Sequence, residues 1–453
     1  MKLVLRFFTS AILAALGSSM ALGQSPPATL TLSDAVRLAL ERNPEVLVAR
    51  EQLEELKGKI TEVRADAYPQ VTLQGYGLRL RDPSILNSAS FDKLPDEFRS
   101  ALVPTSANLF DVGLTVTQPL YTAGKVGTAI KLAVEGQREK EAALEAVRQR
   151  VAFRVFQAFH DLLLAQANLE VVRETYWQRE KHLEQVRSRF ALGVATETDV
   201  LRSQVNLANT EPERIRAENT LRLARATLNN LIVADLDAPT QIEGNLAYRP
   251  WALPPAAELQ AQALEVRPEI LVARRLVQEA RLLGSLARAD NKLRVDMEGR
   301  YGYNIRDPKN LFNQDFNRWN ITFNFKLPFY DGGRKAGQVV QADSRRRAAE
   351  QNLAQLENNV KLEIKAASDD LQSSAEAIAA ARLNVSQAEK VLEMMQANYQ
   401  YGAATTLDVF DSQTALTVAR NAEINATYQY QVAKGRLRLA AGMPILDGEE
   451  KRQ

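Results

Sequence analysis

Three aspartates stand where two predicted helices begin. Asp199 lies six residues past Gly193, Asp408 six past Gly402, and Asp411 three past Asp408. Residues three apart share a helix face, so Asp408 and Asp411 present two carboxylates together. The plain use of such residues is to complement the positive end of a helix dipole. Little else in the chain could do chemistry. There is no cysteine, which removes disulfides, thiol nucleophiles and cysteine zinc sites. The only histidines are His160 and His182, which argues against a histidine metal centre or a serine–histidine–acid triad. No nucleophile–base pair or metal constellation stands out. The expectation is a non-enzyme without a cofactor.

The aspartates must be positioned by what precedes them. Gly193 and Gly402 each end a long periodic run and precede a Thr/Asp-rich helix start, so each reads as a hairpin tip. As a glycine alone, each is also a plain helix C-cap. The runs before them span about 127–192 and 336–401, on the order of 100 Å each at 1.5 Å per residue. In the second, Ile364, Leu371, Ile378, Val385, Leu392 and Tyr399 recur every seven residues. Leu353, Val360, Ala367, Ser374, Ala381, Ala388 and Met395 form a smaller interleaved seam. In the first, Val155, Leu162, Leu169, Tyr176, Leu183 and Phe190 carry the large seam. Leu144, Val151, Ala158, Ala165, Val172 and Val186 carry the small one, with Arg179 as a break. A sustained seven-residue repeat predicts left-handed supercoiling, and large/small alternation permits close helix approach.

The chain is written twice. NPEVLVAR at 43–50 returns as RPEILVAR at 267–274, a shift of 224, which also relates Gly75 to Gly299. QPLYTAGK at 118–125 returns as LPFYDGGR at 327–334, a shift of 209, kept by Gly193/Gly402 and Asp199/Asp408. The predicted organisation is a first repeat over 24–234, a linker over 235–255 holding Pro239, Pro250, Pro254 and Pro255, a second repeat over 256–443 and a tail over 444–453. Each repeat opens with one predicted helix of about 35 residues, 33–67 or 256–289. Two strand-like runs, the long helix and a shorter return helix follow. Pro119 and Gly124, and Pro328, Gly332 and Gly333, mark the predicted strand-to-helix corners, where proline ends a ladder and glycine permits positive φ.

The strands discriminate between fold classes. Val295, Met297, Gly299, Tyr301, Tyr303 and Ile305 alternate with polar residues, as do Trp319, Ile321, Phe323, Phe325 and Leu327. About 10 residues of such alternation fit a transmembrane β-strand. Around Val112, Leu114 and Val116 the pattern holds, while 71–80 is glycine-rich and less clean. Four strands cannot close a barrel, and an open edge cannot face lipid. If these strands lie in a membrane, several chains share one barrel.

Composition agrees with export. The 453 residues are 45% apolar and 25% charged, and 57 basic against 55 acidic residues give no case for nucleic acid. Lys2 and Arg6, an apolar run over 7–16, and Ala21-Leu22-Gly23 predict a signal peptide, residues 1–23, cut before Gln24. Gln24 in place of cysteine encodes no lipoprotein anchor there. No later stretch reaches 18 apolar residues, so no transmembrane helix is expected in the mature chain.

In the order, duplication and spacing of LSDAVRLALERNP at 32–44, QPLYTAGK at 118–125, LPFYDGGR at 327–334 and YQYGAATTLDVFD at 399–411, the chain resembles the TolC-like outer-membrane efflux proteins. The resemblance covers nearly the whole mature chain. It implies a mainly α fold with membrane β: a homotrimer with a 12-stranded outer-membrane barrel, four strands per chain, above a periplasmic α-helical barrel. It implies an exit duct of a tripartite efflux pump or type I secretion system, with a periplasmic adaptor and an inner-membrane transporter as partners and outer-membrane lipid around the strands. It further implies that Asp408 and Asp411 form carboxylate rings narrowing the periplasmic entrance, and that Asp199 and Tyr399 belong to the bonds that hold it shut. Ala404 departs from the pattern, because an arginine stands there in well-known relatives. Gly193-Val194 and Gly402-Ala403 would be the small exposed tips that admit the adaptor. The alternatives are a periplasmic adaptor, which usually has one coiled-coil hairpin, and an exported coiled-coil scaffold. Cargo is not written in the sequence.

Overall fold

The computed structural model describes residues 29–446 except 82, 84–89, 91–92 and 102–106. The predicted signal peptide and most of the tail lie outside the described residues. In chain order the elements are β1 (Thr29–Leu30), α1 (Leu32–Arg42), α2 (Pro44–Ala65), β2 (Gln70–Leu80), α3 (Asp96–Ala101), β3 (Ala107–Tyr121), α4 (Lys125–Ala191), α5 (Glu197–Ala208) and α6 (Thr210–Leu231). There follow β4 (Gln241–Ile242), α7 (Ala256–Val266), α8 (Pro268–Ala289), β5 (Arg294–Ile305), β6 (Asn317–Lys326), α9 (Arg334–Gln400) and α10 (Thr406–Ala440). Both long helices have 67 residues, hence about 100 Å each.

The heptad seams are where the packing is. Ile364, Leu371, Ile378, Leu392 and Tyr399 are buried, as are Val155, Leu162, Leu169 and Leu183. One core joins Val36 and Val46 to Val155, Phe156 and Leu162 of α4 and Leu228 of α6. Its counterpart joins Leu259 and Ile270 to Ile364 and Leu371 of α9 and Tyr430 and Leu437 of α10. Tyr430 also holds the linker. Its hydroxyl donates to the Arg249 carbonyl at 3.1 Å and accepts from the Trp251 N–H at 3.0 Å. One place where the halves meet is the crossing of α4 and α10, at Gly435. A Cβ there would lie 2.5 Å from the Phe156 ring, so only glycine allows this approach.

Four features of the helices differ from the sequence expectation. The opening helix of each half is two helices, parted at Asn43 and Arg267. Each precedes a proline and is extended, with ψ 128° and 125°, because the proline ring excludes the helical region for the residue before it. The first return helix is parted at Asn209, three residues before Pro212, which has no N–H to give to the turn behind it. Its counterpart α10 runs 35 residues unbroken. Arg179 is buried rather than simply interrupting the seam, and its Nη1 donates to Thr210 Oγ1 at 2.7 Å and the Asn206 carbonyl at 3.3 Å, beside that break. Phe190, placed on the large seam, is exposed, although Val186 one turn earlier is buried.

Candidate functional site

The strands form one antiparallel sheet in the order β2-β3-β5-β6. The two hairpins are thus joined by pairing between β3 and β5, Val112 opposite Tyr303 and Leu114 opposite Tyr301. Cross-strand partners share a face. Val71, Leu73, Phe110, Val112, Leu114, Val116, Tyr301, Trp319, Ile321 and Phe323 therefore lie on one face. Thr72, Gln74, Asp111, Thr115, Arg300, Asn304, Asn320 and Thr322 lie on the other. Ile305 on the apolar face is buried and Thr72, Gln74 and Thr322 on the polar face are exposed, but along β3 and at several outer positions the exposures run opposite to those of a water-soluble sheet. Asp111 and Thr115 on the polar face are 4% and 7% exposed, whereas Leu73 and Phe325 on the apolar face are 73% and 71% exposed. Asp111 is paired with Arg300, and its second oxygen accepts from Asn304 Nδ2 at 3.2 Å. A sheet turned inside out in this way fits lipid outside and water inside. No helix among the described residues is long and apolar enough to cross a membrane.

The corners below the sheet follow their residue types. Gly124 and Gly333 are the N-caps of α4 and α9 at φ 80° and 86°, and Gly332 is also left-handed at φ 63°. Pro328 follows the end of β6, as expected. Pro119 does not end its ladder. It sits inside β3 opposite Asp296, and the next pair, Tyr121 with Val295, skips Leu120 as a bulge. A bulge releases the ladder hydrogen bond that proline cannot give. Asp331, which the sequence reading did not single out, caps α9: its carboxylate accepts from the N–H of Gly333 and of Lys335, each at 3.0 Å.

At the far end, the two helix tips have the same geometry. Gly193 and Gly402 are left-handed at φ 74° and 75°, and a Cβ on either would meet no atom within 4 Å. Val194 N–H donates to Arg189 C=O at 2.9 Å and Ala403 N–H to Asn398 C=O at 2.8 Å, closing each helix end in the same way. Val194 and Ala403 are exposed.

The aspartates are placed by capping boxes. Asp199 Oδ2 accepts from Thr196 N–H at 3.1 Å while Asp199 N–H donates to Thr196 Oγ1 at 3.2 Å. Asp408 does the same with Thr405, at 2.8 Å and 3.3 Å. Bonds from the threonine hydroxyls hold both carboxyls below the usual carboxylate range. Asp411, one turn on, is exposed. Tyr399 is buried at the end of α9 and accepts from Thr406 Oγ1 at 3.4 Å. Thr406 is also a lesser cause, after Thr196, of the lowering of the Asp199 carboxyl. Ala404 packs with Val200 against Val186, Tyr399 and Val409.

Two side chains of α4 at this place escaped the sequence reading. His182 is buried with its ring 5.3 Å from Tyr399 and 5.1 Å from Phe410, and burial pushes its imidazole down to about 4. Arg189 lies over the Tyr399 ring at 4.8 Å. A groove of about 410 Å³ opens beside them, lined by Gln185, Glu393, Gln396 and Gln413 among others. The only available signal was that both residues stand next to a seam residue near the tip.

Comparison with known proteins accounts for this combination. The sequence matches the family described as outer membrane efflux protein over residues 35–233 and 259–443. It is 26% identical over 446 residues to outer membrane protein TolC of Vibrio cholerae, covering 98% of this chain and 96% of that protein. It is 25% identical over 408 residues to outer membrane protein OprJ of Pseudomonas aeruginosa, covering 88% and 81%. Among solved structures, the outer membrane protein VceC of Vibrio cholerae has the same fold, with a TM-score of 0.77 at 22% identity over 91% of this chain and 96% of that one. With the family model matched over nearly the whole described chain, the chain belongs to the outer membrane efflux protein family, seated in the outer membrane with a large periplasmic portion.

Proposed function

We propose that three copies of this chain close a single duct that spans the outer membrane and reaches through the periplasm, through which a tripartite pump or type I secretion system passively exports its substrates. The sheet carries this reading. Its edge strands β2 and β6 have no second neighbour among the described residues of the chain, and an unpaired edge is not tolerated in lipid. Because the four strands alternate in direction, β2 of one copy meets β6 of the next antiparallel, and the ladder continues around a ring. Such a contact is head-to-tail and closes when the rotation per copy completes a circle.

The helices support the same ring. Leu201, Val205, Ile215 and Leu223 are exposed on α5 and α6, and Leu362, Leu383, Val391 and Met394 on α9. Over most of their length these helices use different partners: α5 and α6 pack on α4, while α9 packs on α7, α8 and α10. Three copies bury the two apolar edges against each other and enclose a tube. In that tube Asp408 and Asp411 form two carboxylate rings at the periplasmic mouth, and Asp199 and Tyr399 contribute to its closure. The exposed tips at Gly193-Val194 and Gly402-Ala403 receive a periplasmic adaptor, which links the duct to an inner-membrane transporter. Mass measurement of the detergent-extracted full chain tests the assembly. Three chains per particle are expected, and a monodisperse monomer soluble without detergent refutes the reading.

A further inference from the structure

The tip holds one contact that neither the glycines nor the aspartates explain. Arg189 is in the last turn of α4, yet its side chain reaches the end of α9, in the other half of the chain. Nη1 donates to the carbonyls of Tyr399 at 3.1 Å and Gln400 at 3.2 Å. The guanidinium also covers the Tyr399 ring. The Tyr399 carbonyl already accepts from the Gly402 N–H at 3.1 Å, so Arg189 adds a second donor there, at the negative end of the helix dipole, where a cation is favoured. The Nε of Arg189 is shut away from solvent without a protein partner, a cost that the two carbonyl bonds and the ring contact must outweigh. Farther back, the two hairpins are joined between α4 and α10. Asp161 accepts from the Tyr428 hydroxyl at 2.5 Å, Glu174 pairs with Arg420 at 2.5 Å, and Thr175 meets Thr417 at 3.1 Å. Arg189 carries this polar seam to the tip and onto α9.

Its neighbours make it a grip. His182, Val186 and Arg189 lie on one face of α4, at helical spacing. They hold Tyr399, Val409 and Phe410, which flank the α9–α10 turn. Ala404, within that turn, contributes packing and has no polar group to reach across.

We infer that Arg189 is the positioning residue that latches the two hairpins at the periplasmic mouth, tying the end of α4 to the end of α9. The inference rests on the duct reading above. Swinging the α9–α10 tip away from α4 breaks two charge-assisted hydrogen bonds and the ring contact together, so the latch favours the closed arrangement.

The test is ion conductance of full-length trimers in planar bilayers, with trimer mass and melting temperature measured on the same preparations. Arg189→Gln removes the charge, and Arg189→Lys keeps a point charge without the planar fork. The expected result is an open fraction raised about tenfold or more in Arg189→Gln, the factor that loss of one charge-assisted bond brings, with trimer mass and melting unchanged. Arg189→Lys should fall between that variant and the wild type. An Arg189→Gln trimer that is intact and conducts like the wild type overturns the latch while leaving the duct standing. If Arg189→Gln fails to assemble, wild-type conductance in Arg189→Lys overturns it. A wild-type trimer that conducts no ions overturns the duct and the latch together.

Discussion

An arginine scan along β6 separates a membrane sheet from a soluble one. Ile321 and Thr322 are neighbours at nearly the same depth, but the register puts Ile321 opposite Gly299 on the apolar face and Thr322 opposite Glu298 on the polar face. The strand has 10 residues, a length of roughly 33 Å at 3.3 Å per residue. At a tilt of about 40° it spans about 25 Å, the height of the apolar band, with Ile321 and Thr322 near its middle. An arginine at mid-bilayer on the lipid face costs about 2–4 kcal/mol, or roughly 30- to 900-fold in the insertion equilibrium of each chain. Ile321→Arg and Phe323→Arg should therefore lower the membrane-assembled fraction strongly, and Trp319→Arg, nearer a rim, less. Thr322→Arg faces the water-filled side and should be mild. The assay is the amount of trimer resisting urea extraction from outer membranes, scaled to total chain. Equal losses for Ile321→Arg and Thr322→Arg would refute the assignment of the two faces, because burial in a soluble core has no reason to spare the polar side.

Two further outcomes concern the tips. Asp408→Asn with Asp411→Asn should reduce cation selectivity and block by multivalent cations, since stacked carboxylate rings concentrate cations at a narrow mouth. Unchanged selectivity in bilayers leaves Asp408 as a capping-box residue only. His182 should make the mouth acid-sensitive. Its folded value is lowered to about 4 from 6.5, so its neutral packing contributes fully above about pH 6.5 and is lost as pH falls from there towards 4, by up to about 1.4 kcal/mol per pH unit. The closed state should open more often through that window, and His182→Phe should flatten the response. A wild-type conductance flat from pH 7 to 4.5 would show that the His182 packing does not hold the tip.

Local periodicity was legible in the sequence because neighbours in the chain encode it. The seven-residue seams of α4 and α9, the alternation in β5 and β6, and the left-handed glycines at 124, 193, 332, 333 and 402 depend on residues within a turn or two of each other. The prolines at 44 and 268 carried the helix breaks before them in plain view, but a continuous apolar pattern across each break concealed them. The duplication set the element order twice over. What no local pattern contains is which distant backbone pairs with which. That β3 pairs with β5, making one sheet with one apolar face, was decided by the tertiary structure, as was the bulge that keeps Pro119 inside a strand. The aspartates show the same division. Their spacing marked them as helix starts, whereas the threonine bonds that fix Asp199 and Asp408 and leave Asp411 exposed needed coordinates. Arg179, His182 and Arg189 read as breaks or bystanders along their own helix. Each acquires its role across a helix-to-helix gap, where a long side chain meets carbonyls or rings supplied by another part of the chain. For Arg189 that part lies 210 residues away, and folding alone brings it near.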